Sequence, residues 1–196
     1  SVEKNRFASA RDRAYDRING TLDDYRDPVR LRSMGSFTDD AVGVQALAKL
    51  ARSEANDTAL RASRYVALAD NRTVAQTILD TERVLDRTEG TLDNQGLRRS
   101  AEAHFDNAER QFDRAQRQLE RANESEGRRA TSQYAQAIRT LRTSWQQAQQ
   151  ALTMLDEAPP AVTFVSRADP AWNASNTVTR AVAVNVSDVR PWRLEN

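Results

Sequence analysis

The stretch FDNAERQFDRAQRQLERA, Phe105 to Ala122, and the stretch YAQAIRTLRTSWQQAQQALTML, Tyr134 to Leu155, decide the fold of this chain. In the first, Phe105, Ala108, Phe112, Ala115, Leu119 and Ala122 recur in steps of three and four; in the second, Tyr134, Ile138, Leu141, Trp145, Ala148, Leu152 and Leu155 do the same. Such steps hold apolar side chains on one stripe of a helix, and the stripe predicts helices packed knobs into holes at a shallow angle. In the first stretch large residues alternate with alanine, so a neighbouring helix can approach closely on the alanine side. Only a short polar link around Ser125-Glu126-Gly127 separates the two stretches. That brevity predicts an antiparallel hairpin. Helices of about 30 residues reach roughly 45 Å, so the expected shape is a rod.

Outward toward the N-terminus the same grammar continues. Phe7, Ala10, Ala14, Tyr15 and Ile18 have helical spacing, and Asn19-Gly20 reads as a stop, with Leu22 and Tyr25 extending the pattern beyond a kink. Asp27-Pro28 to Ser36 reads as a connector. Thr38 then offers a cap, Asp39 and Asp40 suit a helix start, and Val42, Val44, Leu47, Ala48 and Leu50 supply an apolar side. A third helical stretch runs from Thr58 to about Thr88, with Leu60, Tyr65, Val66, Leu68, Val74, Ile78, Leu79, Val84 and Leu85 as its apolar residues. Asp70-Asn71-Arg72-Thr73 is either a break with a fresh cap or a polar turn within one helix.

Toward the C-terminus Pro159-Pro160 ends the helical region. Ala161 to Val165 and Thr177 to Val186 are alternating and β-branched, which predicts strands. Fewer than forty residues of β structure do not readily stand alone. The expected organisation is a mainly α, elongated up-and-down bundle over 1–158, followed by a β-prone segment over 159–196 that begins a β-sandwich-like domain. The chain opens on Ser1-Val2 rather than Met, as a processed or trimmed product would.

Composition narrows the chemistry. Of 196 residues, 29 are basic and 28 acidic, for a net charge of +1. That balance gives no global reason to expect nucleic acid or an anionic membrane surface as partner. There is no cysteine, which removes disulfides, thiol catalysis and thiolate metal sites together. No apolar run approaches the ~20 residues of a membrane span. All but Lys4 and Lys49 of the basic residues are arginine.

One motif is in excess. The sequon Asn-x-Ser/Thr occurs at Asn19, Asn56, Asn71, Asn123, Asn173 and Asn185. With the observed Ser and Thr content, chance would place about 1.4 such sites. N-glycosylation of an exported surface accounts for six. The competing account is capping, since Asn, Gly, Ser and Thr gather at helix ends for backbone reasons.

Other residues invite sharper readings and support them poorly. His104 is the only histidine and lies near Glu102, Asp106 and Glu109, but a bundle metal site needs paired Glu-x-x-His elements, which are missing. Asp23-Asp24 and Asp39-Asp40 are adjacent and so point apart on a helix. Arg98-Arg99 and Arg128-Arg129 sit among acids with no continuing basic stripe. Trp145 belongs to a seam, while Trp172 and Trp192 fall in the β-prone segment, in a core or at an interface. No catalytic, cofactor or metal constellation emerges.

A cysteine-free, sequon-rich chain with Arg over Lys and helices ahead of β-prone sequence resembles exported cell-surface proteins of archaea, halophiles in particular. Its near-zero net charge differs from the acidic balance typical of halophile proteins. The resemblance implies a non-enzymatic extracellular structural or interaction module, a stalk, spacer or adhesion-type domain. Its partner would be another protein or a neighbouring domain of the same polypeptide. The alternative is an extracytoplasmic helical-bundle sensor that binds a small ligand, which a pocket lined by Arg and aromatic side chains would favour.

Overall fold

The computed structural model describes the backbone of residues 2–26, 35–51, 56–89, 95–157, 162–166 and 182–186, and the side chains of 8–21, 35–51, 56–89 and 95–155. Five helices follow in order: α1 (Val2–Arg26), α2 (Gly35–Leu50), α3 (Asn56–Arg87), α4 (Gln95–Asn123) and α5 (Gly127–Glu157). Two strands complete the described chain, β1 (Val162–Ser166) and β2 (Val182–Val186).

The hairpin of α4 and α5 forms as its short link predicts, and one hydrogen bond fixes its register. Ser144 Oγ, fully buried on α5, donates to the Ala108 carbonyl of α4 at 2.7 Å. A serine side chain is short, so the bond requires the two backbones to lie close. Carrying that register forward in heptads sets Ala101 level with Ala151, Ala115 with Ala137, and Ala122 with Ala130. All six are 0–1% exposed. The seam is therefore a ladder of small side chains on both helices. Further bonds confirm the antiparallel course: His104 Nδ1 lies 2.8 Å from Gln147 Oε1, and Tyr134 Oη donates to Asn123 Oδ1 at 2.6 Å. Gly127 makes the turn with φ +52°, in the left-handed region that costs a side-chain-bearing residue roughly 1–2 kcal/mol.

With alanines facing α4, the large residues of α5 are free to face elsewhere. Ile138, Leu141 and Trp145 join Phe37, Ala41 and Val44 of α2 and Val74 and Ile78 of α3 in one buried cluster. Helix α5 is thus the central member, packed against α2, α3 and α4. Phe37 and Trp145 meet with ring centroids 5.7 Å apart and planes tilted by 43°. Phe105 and Phe112 of α4 are half-buried and pack on the same cluster.

Helix α3 has no break at Asp70 to Thr73. It runs unbroken because the polar residues there are accommodated without leaving helical geometry. Asp70 is fully buried, Thr73 Oγ1 donates to the Ala69 carbonyl, and Asn71 Oδ1 accepts from Gln116 Nε2 of α4 at 2.8 Å. Buried hydroxyls elsewhere follow the same rule: Ser63, Thr81 and Thr131 each donate to the carbonyl four residues back, and Thr88 to that three back. Two residues expected in the α3 core lie outside it, since Tyr65 is 70% and Leu79 45% exposed.

The expected stop at Asn19-Gly20 is also absent, for α1 continues to Arg26. A glycine inside an exposed helical turn costs only ~1 kcal/mol against alanine. Here Thr21 offsets that cost: it is buried, and its hydroxyl sits 2.8 Å from the Ile18 carbonyl and 2.7 Å from Asp40 Oδ1 of α2. Arg17 Nη1 adds an ion pair to Asp39 at 2.5 Å, so both members of the Asp39-Asp40 pair engage α1. Helix α2 begins at Gly35, three residues before the expected cap at Thr38.

Helices α1 and α2 approach closely at Gly43, where an added Cβ would fall 2.7 Å from Ile18 Cγ1. The satellite cluster of Ala10, Ala14, Leu47, Leu50 and Ala59 is built on that approach. Gly43→Leu is therefore expected to lift α1 off the bundle while α2 to α5 stay folded. Amide hydrogen exchange would report it as loss of protection confined to residues 8–21 and their contacts. Unchanged protection there would contradict it.

The strands pair antiparallel, Val162 opposite Val186, Phe164 opposite Val184 and Ser166 opposite Val182. The expected strand over Thr177 to Val186 is described only from Val182, and Val178 lies outside the described residues.

Candidate functional site

The described sequons fall at helix ends, within helices and on a strand. Asn56 is the first residue of α3 and Asn123 the last of α4. Both lie near the α4–α5 turn, because a Cβ added at Gly127 would meet Asn56 Oδ1 at 3.4 Å. Asn19 and Asn71 are interior, within α1 and α3. Asn185 sits on β2 opposite Thr163, and Asn173 lies outside the described residues. Capping is a positional option only at the two helix ends, where Asn56 Oδ1 nonetheless has no hydrogen-bond partner among the described residues and Asn123 Oδ1 accepts from the Tyr134 hydroxyl. It gives no reason for the two in helix interiors.

Three of these asparagines share an orientation. Asn71 Oδ1 accepts from Gln116, Asn123 Oδ1 accepts from the Tyr134 hydroxyl, and Asn56 Oδ1 is buried beside the α4–α5 turn. In each case the side-chain oxygen faces protein. Glycosylation substitutes the nitrogen and leaves the oxygen in place as an acceptor. The arrangement is compatible with a sugar on Nδ2 at all three positions. Asn19 and Asn123 are exposed, while Asn56 and Asn71 are half-buried.

The hydroxyl residues of the sequons differ in availability, and Thr58 is exposed. Thr21 is 2% exposed and bonded as described. Thr73 Oγ1 donates to the Ala69 carbonyl and Ser125 Oγ to that of Arg121. Residues i and i+2 of a helix project about 200° apart, so an enzyme cannot engage both from one side of a folded helix. Any transfer at Asn19 or Asn71 must precede folding.

Tyr134, the donor of the bond to Asn123, carries a pH signature. Burial pushes the Tyr134 phenol above its ordinary value of 10.0, with Arg64 opposing more weakly. A phenol whose folded-state pKa is raised contributes stability that is complete below the unfolded value and is lost as pH rises through the folded one. The protein is expected to lose stability above about pH 10, and Tyr134→Phe to flatten that limb while lowering stability near neutrality by about 1 kcal/mol. Urea titrations at stepped pH would check both; an unchanged alkaline limb would contradict the assignment.

The remaining residues singled out in the sequence have structural occupations. Arg98 is half-buried and closes the C-terminus of α3: its Nη1 donates to the Leu85 carbonyl at 3.1 Å and its Nε to Glu102 at 2.8 Å. Its role at a helix end, where carbonyls lack partners, was not legible in the sequence. Arg99, Arg128 and Arg129 are exposed. Glu109 is held above the usual carboxylate range by partial burial and by Asp106, Glu82 and Asp113. Among the described residues no group of three or more metal-ligating side chains converges, and no helix is long and apolar enough to cross a membrane. Asp23, Asp24, Trp172 and Trp192 lie outside the described side chains.

One cleft of about 310 Å³ opens between α1, α2 and α3, lined by Arg11, Ala14, Tyr15, Ile18, Asn19, Leu47 and Ala62. Tyr15, expected on the core face of α1, is instead 67% exposed at its edge. Comparison with known proteins gives no matching family model, no matching curated protein and no matching solved structure.

Proposed function

We propose that this chain is an exported, N-glycosylated structural or interaction module, a non-enzymatic spacer that holds a neighbouring domain or a protein partner at a set distance. The observation that carries the reading is Asn71. It lies within an unbroken helix, where capping does not explain it, and its oxygen is taken by Gln116, leaving the nitrogen as the free end of the amide. Three helices of 29 to 32 residues support the spacer role. At 1.5 Å per residue such helices run roughly 45 Å.

The reading is tested by comparing the protein isolated from its native host with protein from the same host lacking its oligosaccharyltransferase. The native form should be heavier by several glycan units, and the difference should vanish in the transferase-deficient strain. Identical masses would overturn it.

The sensor alternative draws on the α1–α3 cleft, which has an arginine and a tyrosine at its rim. Arg11, however, pairs with Asp12 at 2.8 Å, and the floor is Ala14, Leu47 and Ala62.

A further inference from the structure

The cleft contains its own attachment point. Asn19, a sequon asparagine, is part of its lining, one helical turn beyond Tyr15. We propose that the cleft is an intramolecular sugar site, filled by the first, amide-linked residue of a glycan on Asn19 that packs its C–H face on the Tyr15 ring. The proposal rests on the glycosylation reading above and adds what the sugar does.

Three features converge. Residues i and i+4 of a helix are neighbours, with Cβ atoms ≈ 5–6 Å apart. Helical side chains lean toward the N-terminus, so what extends from Asn19 is carried back over Tyr15 rather than away from it. Tyr15 presents 67% of its surface to solvent although Ala14 beside it is buried, leaving a largely exposed ring in the lining of an apolar hollow. The volume, about 310 Å³, is at the low end of the ≈ 300–1,000 Å³ of small-molecule sites. It suits one sugar ring rather than an extended oligosaccharide.

Tethering explains how so weak a contact could be populated. A covalently attached ring competes at the effective concentration of an intramolecular partner, so no array of polar contacts is required. The buried Thr21 hydroxyl sets the order of events: the glycan is added first, and α1 docks afterwards, bringing Ile18 and Leu47 under the ring. The seated sugar then covers the edge of the joint between α1 and the rest of the bundle.

Tyr65, 70% exposed on α3 and six residues before Asn71, is an internal control for Tyr15. Nitration of tyrosine should be followed by peptide mass spectrometry on the glycosylated native protein and on its Asn19→Gln variant. In the native protein Tyr15 should react several-fold more slowly than Tyr65; in Asn19→Gln the two rates should converge, with Tyr65 unchanged. A glycosylated Asn19 with Tyr15 reacting as fast as Tyr65 would overturn the sugar site and leave the glycosylation reading standing. A bare Asn19 beside occupied sequons elsewhere would also overturn the sugar site. Bare asparagines at every sequon would remove both.

Discussion

Ala137→Leu is expected to force α4 and α5 apart and to destabilise the bundle by about 1–3 kcal/mol, at the upper end of that range or beyond it. Position 137 is completely buried on the small-residue ladder, in the register that the Ser144–Ala108 bond fixes. Three added carbons have no void to enter there, because the seam exists by virtue of backbones lying close. Separating the helices also stretches the Ser144 hydrogen bond, leaving a buried hydroxyl and carbonyl to lose about 1–3 kcal/mol more. The control is Ala103→Leu on the exposed side of α4, which should fall within about ±0.5 kcal/mol of the parent. Urea unfolding followed by circular dichroism measures both. Equal midpoints for the two variants would mean that the ladder does not set the helix spacing.

Trp145→Ala should cost about 3–5 kcal/mol, the range for truncating a buried aromatic residue. Trp145 is 5% exposed and stands where α5 meets Phe37 of α2 within the main cluster. Its removal opens a cavity in the main cluster where α5 meets α2. Against the ~5–15 kcal/mol that holds a typical domain together, the loss is a large fraction of the whole. Trp145→Phe keeps ring contact with Phe37 and should recover about half of it. If Trp145→Ala shifted the unfolding midpoint no more than Trp145→Phe, the tryptophan would be peripheral to the core.

The two substitutions separate what was legible in the sequence from what was not. The stripes at Phe105 to Ala122 and Tyr134 to Leu155 were readable because a helix repeats its environment every three to four residues, so one face declares itself. The second ladder, Ala130, Ala137, Ser144 and Ala151, went unread because small residues carry little hydrophobic signal. They become a seam only when a partner of matching spacing is laid against them. Asn19-Gly20 read as a stop by local propensity, yet a tertiary contact prevailed, Thr21 being bonded to Asp40 across to α2. Asp70 to Thr73 stayed ambiguous because Asn71 finds its partner on helix α4 and Thr73 in the preceding turn, which no local pattern records. Tyr15 and Tyr65 have the spacing of core residues and are exposed, since spacing locates a face without telling which residues at its margin a neighbour covers.

The candidate site divides in the same way. Six sequons were countable at once, but whether capping explained them depended on where helices end. Only coordinates place Asn71 inside α3 and Asn19 inside α1. That placement turns a composition argument into a positional one. It also buries the hydroxyl partner Thr21 and sets Thr73 on a different side of α3 from Asn71, so any glycan at these positions must be added before folding.

The most direct measurement is therefore site-resolved mass spectrometry of peptides bearing Asn19 and Asn71 from the native protein. Both interior asparagines are expected to carry a glycan in most molecules. Unmodified Asn19 and Asn71, with or without sugar at the helix-end sites Asn56 and Asn123, would contradict it.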